Sequence, residues 1–197
     1  MKLFISVFLL FIYLNSNGQV GPIRNWVDSE VKLTDSKGNS AMVTSSLPKG
    51  GGIVYQNGKK YGYVNFWTRM SNQSATPIEL KVKFPEVTFF KSPDSYIKIV
   101  LPKETMKIEK VQLFDYGLTN FQSLLNDETN QLGILQKKIG PKEDYLFYVT
   151  VFIHIEGSGP AGPARAKFEL NDKELLYKIS IGSDTTLIPC GSLEFKN

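Results

Sequence analysis

Residues 61 to 84 read YGYVNFWTRMSNQSATPIELKVKF, and this stretch predicts a strand, a polar turn and a second strand. In the second strand, apolar residues occupy every other position from Ile78 to Phe84, and Glu or Lys fills the positions between them. A period of two is typical of a half-buried strand, because successive side chains leave opposite faces of the sheet. We therefore expect Phe66 to face the core and Lys81 to face solvent.

The same alternation recurs along the rest of the chain. Residues 145 to 156 are apolar on both faces for most of their length, which predicts a central strand. About ten short strands, spaced by roughly 8 to 12 residues, are typical of an all-β fold. The one helical pattern lies near residues 119–127, where Thr119 and Gln122 have capping-box spacing. We predict a two-sheet sandwich of immunoglobulin-like or jelly-roll type, with a closed calyx as the alternative.

Three shorter segments carry local predictions. Asn57-Gly58 predicts a hairpin, because both central positions of its tight turn need a positive φ. Residues 48–52 read PKGGG and predict a flexible loop. Residues 106–114 carry an imperfect apolar pattern that we interpret as a further strand.

The pattern of residues 64 to 84, a strand followed by an Asn/Ser turn, a proline and an alternating strand, resembles the paired strands of exported immunoglobulin-like modules. The resemblance implies the same class of fold. It identifies no ligand and no site residue.

The N-terminal residues have the layout of a signal peptide. Lys2 is followed by the apolar run 3–14 and then by the small residues Ser16 to Gly18. The apolar run is too short to cross a bilayer, which takes about 20 helical residues. We predict that residues 1–18 are a signal peptide cut before Gln19, and that 19–197 form a single secreted or periplasmic domain with no stable membrane span. A retained N-terminal anchor is the alternative.

The composition argues against several classes of function. The net charge of +4 is spread along the chain, whereas nucleic-acid binders concentrate Lys and Arg, so we expect no nucleic-acid partner. His154 and Cys190 are the only His and the only Cys, which excludes an intramolecular disulfide and cannot supply the usual zinc ligands. We expect no catalytic residue, no metal and no cofactor. We interpret the adjacent acids Asp127-Glu128 and Glu143-Asp144 as solvated charges, because a glycosidase needs two carboxylates that face each other across a cleft. Acids dispersed along the chain leave a glycan-acting hydrolase as an alternative.

Two sets of residues are candidates for binding. Tyr63, Trp67 and Arg69 share one face of a predicted strand. If that face is open, the rings and the guanidinium can bind a sugar or a peptide; if a second layer covers it, they are core and rim. The Gly-rich stretch 157–163 ends near Arg165 and is a second candidate surface, because loops often carry binding.

These observations together predict an exported, non-catalytic binding domain of the cell envelope or extracellular space, with a protein or a glycan as partner. The alternatives are the glycan-acting hydrolase and a calyx that carries a small apolar ligand.

Overall fold

The computed structural model describes residues 23–54, 58–86, 88–90, 92–126, 134–154 and 164–196. Within these ranges the strands are β1 (Val27–Thr34), β2 (Ser40–Ser46), β3 (Lys49–Val54), β4 (Lys60–Asn72), β5 (Ile78–Val82), β6 (Thr88–Phe90), β7 (Ser92–Val100), β8 (Leu135–Ile139), β9 (Asp144–His154), β10 (Ala164–Asn171), β11 (Glu174–Ile181) and β12 (Asp184–Phe195). The helix α1 spans Phe121–Asn126. Short 3-10 turns span Ile23–Trp26, Ile108–Lys110 and Phe114–Gly117.

The strands form two antiparallel sheets. The first has the order β1-β2-β4-β9-β7-β6, with β3 also paired to β4. The second has the order β10-β11-β12-β5-β8. The prediction of an all-β, two-sheet sandwich with one short helix near residues 119–127 is confirmed, and β9 takes the expected central place between β4 and β7.

The inner core fills the space between the two sheets. Alternate residues of the central strands point into it, as their two-residue period requires. Its members include Phe66, Met70, Ile78, Leu80, Val82, Phe147, Val149, Val151, Phe168, Tyr177 and Leu193. Side chains thus occupy the interior that the calyx alternative would keep open for a ligand.

A second core lies on the opposite face of the first sheet. Residues 101–126, which we call the cap, cross this face with irregular backbone, two of the 3-10 turns and α1. The outer core consists of cap residues packed on sheet residues; its buried members are Tyr61, Tyr63, Trp67, Val100, Met106, Val111, Tyr116, Leu118, Phe121, Leu124, Tyr148 and Phe152. The first sheet is therefore covered on both faces, and the molecule has three layers.

Two segments differ from their predicted structure. Residues 48–52 are not a loop, because Lys49–Val54 forms β3 and pairs with β4. Gly50 permits this pairing, since a Cβ there would overlap the backbone carbonyl oxygen of Tyr63. Residues 106–114 are not a strand; they form the 3-10 turn Ile108–Lys110 and its flanking turns. The apolar side chains of Met106, Ile108 and Val111 pack onto the outer face of the first sheet instead of continuing it.

A hairpin joins β3 to β4 as predicted, and Gly58 has a positive φ of 78°. Because the last pair is Val54 with Lys60, the connection spans residues 55–59 and is longer than the predicted two-residue turn. Its residues 55–57 lie outside the described part of the chain, as do the predicted signal peptide, the 157–163 loop and the acids Asp127-Glu128. Among the helices of the described residues, none has the length and apolar character needed to cross a membrane.

Candidate functional site

The aromatic face predicted as a binding surface is covered. Trp67 is fully buried, and its ring meets the Tyr116 ring of the cap edge-on, with 6.5 Å between centroids. Tyr63 is also buried and stacks on Phe121 at 4.0 Å. Of the two interpretations left open by the sequence, the structure favours a second layer, with these two residues in the outer core.

The two arginines, Arg69 on β4 and Arg165 on β10, make ion pairs with acids of β1. Arg69 is half-buried, and its Nη2 atom lies 3.9 Å from Glu30 Oε1 on β1. Arg165, on β10, places its Nε atom 3.1 Å from Asp28 Oδ1, also on β1. Arg165 therefore links the edge strands of the two sheets. The structure does not bring it together with Tyr63 and Trp67, so the sequence candidates do not form one site.

A different feature of the cap stands out: the 113–117 turn, which reads LFDYG. Asp115, Tyr116 and Gly117 have φ angles of 46°, 58° and 73°. Only glycine adopts this left-handed conformation readily, and each strained non-glycine residue costs on the order of 1–3 kcal/mol. Such strain persists where the surroundings overdetermine it, which is common at functional sites.

Buried hydrogen bonds from the first sheet hold the turn in place. The Tyr63 hydroxyl donates to Asp115 Oδ2 at 2.6 Å, and Asn65 Nδ2 donates to the Asp115 backbone oxygen at 2.7 Å. The Tyr148 hydroxyl donates to the Tyr116 backbone oxygen at 2.8 Å. Three sheet side chains thus fix the two strained residues, and their bonds offset the cost of the strain.

Lys49 ties the outer side of the turn to the sheet. Its ammonium donates to the backbone oxygens of Val111 at 2.9 Å and Leu113 at 2.6 Å. The same nitrogen lies 4.0 Å from the ring centroid of Trp26 and 4.2 Å from that of Tyr116, within cation–π range. Burial lowers the pKa of Lys49, and the nearby Asp115 opposes that shift.

Asp115 is the one charged residue among the buried polar side chains of the described chain. Burial raises its pKa, while the hydrogen bond from Tyr63 and the charge of Lys49 lower it. Its second oxygen, Oδ1, is buried without a hydrogen-bond partner among the described residues. Burial also raises the pKa of Tyr63, with the bond to Asp115 adding to the shift, so this hydroxyl stays protonated as a donor.

The apolar side chains at the start of the turn point outward. Phe114 is 81% exposed and Leu113 is 51% exposed, although Asp115 and Tyr116, which follow directly, are buried. A large ring held in water on a rigid backbone has lost its conformational freedom without gaining burial. An ordered, exposed apolar side chain of this kind would lose little further conformational entropy if a partner covered it.

A pocket of about 210 Å³ opens beside the cap. It is lined by apolar and aromatic residues and by three polar residues: Leu101, Pro102, Ile134, Leu135, Tyr145, Phe147 and Tyr148, together with Lys103, Glu104 and Thr105. Tyr148 connects this pocket with the 113–117 turn, because its ring lines the pocket and its hydroxyl bonds the Tyr116 carbonyl.

Cys190 and His154, the two side chains considered as a nucleophile and a base, each contact a backbone oxygen. Cys190 is buried, donates to the Leu175 backbone oxygen at 3.3 Å, and has its pKa raised by burial to about 12. Cys190 is therefore a small residue of the inner core. His154 Nδ1 lies 3.1 Å from the Lys60 backbone oxygen, which can only accept, so Nδ1 is the donor. Across the described ranges, no three His, Cys, Asp or Glu residues cluster so as to hold a metal.

Comparisons with protein-family models, with curated proteins and with solved structures found no match.

Sequence reasoning missed the 113–117 turn because it assigned residues 106–114 to a strand. Gly117 and the adjacent pair Leu113-Phe114 were the available signals. A glycine directly after Asp-Tyr indicates a turn, and two consecutive apolar residues beside it cannot both face the core of a strand.

Proposed function

We propose that the chain is an exported, non-catalytic binding domain that docks a protein partner on Phe114 and Leu113 of the 113–117 turn. The layout of residues 1–18 supports export, and the rigid presentation of an exposed phenyl ring supports docking. The observation that carries the proposal is the 81% exposure of Phe114 on a backbone fixed by buried hydrogen bonds.

The geometry favours a protein over a glycan. Phe114 projects from the surface, whereas sugar and small-molecule sites are concave. Aromatic anchors that insert into a partner's pocket account for most of the binding energy in protein interfaces. Because the turn is already ordered, binding loses little conformational entropy there, and the apolar contact is not offset by the cost of ordering a loop.

The docking test places a photo-crosslinking amino acid at position 114 in the producing cell. The matched control places it at position 187, where Leu187 is also exposed, at 51%, on β12 of the other sheet. We expect a saturable product at 114 that is absent at 187. With that partner purified, Phe114→Ala should weaken binding by about 30- to 1,000-fold, the usual range for an anchor residue, and Leu187→Ala by less than about threefold.

Equal crosslinking at the two positions, or binding that survives Phe114→Ala, contradicts the docking proposal. Binding of glycans alone, with no protein product at 114, contradicts it as well.

Export is tested separately by sequencing the N-terminus of the protein released from cells that express the whole chain. We expect it to begin at Gln19. A protein that keeps residues 1–18 and stays with the membrane fraction would support the retained anchor instead.

A further inference from the structure

We propose that the cap is a proton-linked lid: residues 101–126 open as one unit while both sheets stay paired, and protonation of Asp115 favours the closed state. Three features support this. Among the described residues the cap has no backbone hydrogen bonds to the sheets, its side-chain bonds converge on one strained turn, and a buried carboxyl group lies at that turn. The opening is a property of the chain alone and does not depend on a partner at Phe114.

The cap is attached to the first sheet without a strand ladder. The backbone–backbone hydrogen bonds of the described cap residues join them only to each other; the Leu113 amide, for example, donates to the Lys110 oxygen at 3.0 Å, and the Tyr116 amide to the Leu113 oxygen at 3.1 Å. Each strand, by contrast, pairs with a neighbour along its length. Segments with few such bonds open at a lower free energy than the whole fold. The cap can therefore separate from the sheet without breaking any strand pairing.

The 113–117 turn is the point that holds the cap closed. The three side-chain bonds that the first sheet makes to the turn all end on Asp115 or Tyr116, and the Tyr116 hydroxyl donates to the Leu47 backbone oxygen at 2.6 Å. The same two residues have the left-handed backbone, whose strain is relieved when the turn is released. Loss of a few side-chain bonds at one place therefore frees the segment.

Asp115 couples this opening to pH. The residue is 1% exposed when the cap is closed, and its carboxyl group becomes hydrated when the cap opens. Burial raises its pKa above 3.8, against the opposing effects of the Tyr63 hydrogen bond and the Lys49 charge. The closed cap thus binds the proton more tightly than the open one. Closure is strongest below pH 3.8 and weakens as pH rises through the closed-state pKa.

The groups packed around Asp115 keep their charge in the acidic range where it titrates. They are Tyr63 of β4, Tyr148 of β9, Lys49 of β3 and Tyr116 of the cap. Burial raises the pKa of all three tyrosines, and the pKa of Lys49 is lowered from a starting value of 10.5. A change in cap opening at acidic pH is therefore assigned to Asp115, and Asp115→Asn tests that assignment.

Two matched valine-to-cysteine variants report the two kinds of opening. Val111 is buried in the cap and Val149 is buried in the inner core, where Cys190 serves as an internal standard. The rate of thiol labelling by an aromatic disulfide, divided by the rate for the urea-unfolded chain at the same pH, measures how often each site opens. We expect Val111→Cys to react about 100-fold or more faster than Val149→Cys and than Cys190, because a local opening is far more frequent than global unfolding.

Two added substitutions separate the lid from the sandwich. Ile179→Val weakens the inner core of the second sheet, so it should speed labelling of Val149→Cys about fivefold and leave Val111→Cys unchanged. Tyr63→Phe removes one bond to the turn and should speed labelling of Val111→Cys about tenfold or more, whereas Tyr177→Phe should not. Hydrogen exchange of the unsubstituted protein gives the same comparison, with faster exchange through openings in residues 101–126 than in β9.

Acid should slow the opening of the cap. On going from about pH 7 to about pH 4, we expect the normalised labelling rate of Val111→Cys to fall severalfold. Asp115→Asn keeps a side chain that tolerates the left-handed backbone but carries no charge, so it should remove this pH dependence.

Equal normalised rates at positions 111 and 149 overturn the lid, and so does an equal response of the two positions to Ile179→Val, because the cap would then open only with the whole fold. A rate at position 111 that does not fall in acid, or that falls equally with Asp115→Asn, overturns the proton link.

Discussion

Replacing Tyr63 with Phe removes one oxygen atom from the buried network beneath the 113–117 turn. That oxygen donates at 2.6 Å to Asp115 Oδ2, and the other carboxyl oxygen has no partner among the described residues. The ring itself can stay stacked on Phe121. A buried hydrogen bond to a charged group contributes about 1.5–3 kcal/mol. We expect Tyr63→Phe to lower the free energy of unfolding by about 2 kcal/mol.

The measurement is urea unfolding of both proteins at neutral pH. For an m-value near 2 kcal/mol/M, a loss of about 2 kcal/mol moves the midpoint down by roughly 1 M with no change in m. The matched control is Tyr177→Phe, because the Tyr177 hydroxyl is also buried but has no hydrogen-bond partner among the described residues. We expect this control to be neutral or slightly stabilising.

The pH dependence follows from the carboxyl group of Asp115. Its pKa in the folded state is raised above 3.8, so the stability that its protonation supplies is fully present below pH 3.8 and is lost as pH rises through the folded value. Removing the Tyr63 donor raises that pKa further. The loss caused by Tyr63→Phe should therefore be largest above the folded pKa of Asp115 and smaller below it. Equal midpoints for Tyr63→Phe and Tyr177→Phe would refute the reasoning.

Three further predictions test the packing. Phe66→Ala should cost about 3–5 kcal/mol by urea unfolding, because it empties a fully packed site, whereas Lys81→Ala on the solvent face should cost less than about 0.5. Gly50→Ala should destabilise by more than about 1 kcal/mol because its methyl group would overlap a β4 carbonyl, and Gly52→Ala, which has room, is the control; equal effects would contradict the close approach. Cys190 should resist thiol reagents until the protein unfolds, and rapid labelling of the native protein would contradict its burial.

The sandwich could be predicted from the sequence because the pattern of apolar and polar residues along each strand shows which of its faces are buried. In β5, Ile78, Leu80 and Val82 alternate with charged residues; in β9, every second residue from Phe147 to Ile153 faces inward, and all of these inward positions are buried. The outward face of β9 is also apolar, and this pattern correctly predicted a strand that is covered on both faces. This information is local, since each residue's neighbours two positions away reveal its environment.

The cap that buries Trp67 could not be predicted from alternation in the sequence. The cap has no hydrophobic period, because its backbone turns too often to present one face. The bonds that shape the 113–117 turn come from residues far away in the chain: Tyr63 is 52 positions from Asp115, and Asn65 is 50. Two consecutive left-handed non-glycine residues contradict local preference, and only these distant partners explain them.

The irregular cap makes the sheet beneath it vulnerable. Detachment of residues 101–126 would leave both sheets paired and the inner core intact, yet it would expose a continuous wall of Tyr61, Tyr63, Trp67, Tyr148 and Phe152 to water. An aromatic surface of that extent promotes aggregation. Partial unfolding of the cap, before the strands separate, is therefore the step at which the protein becomes prone to aggregate. Chaperones that recognise exposed aromatic side chains would bind it at that stage.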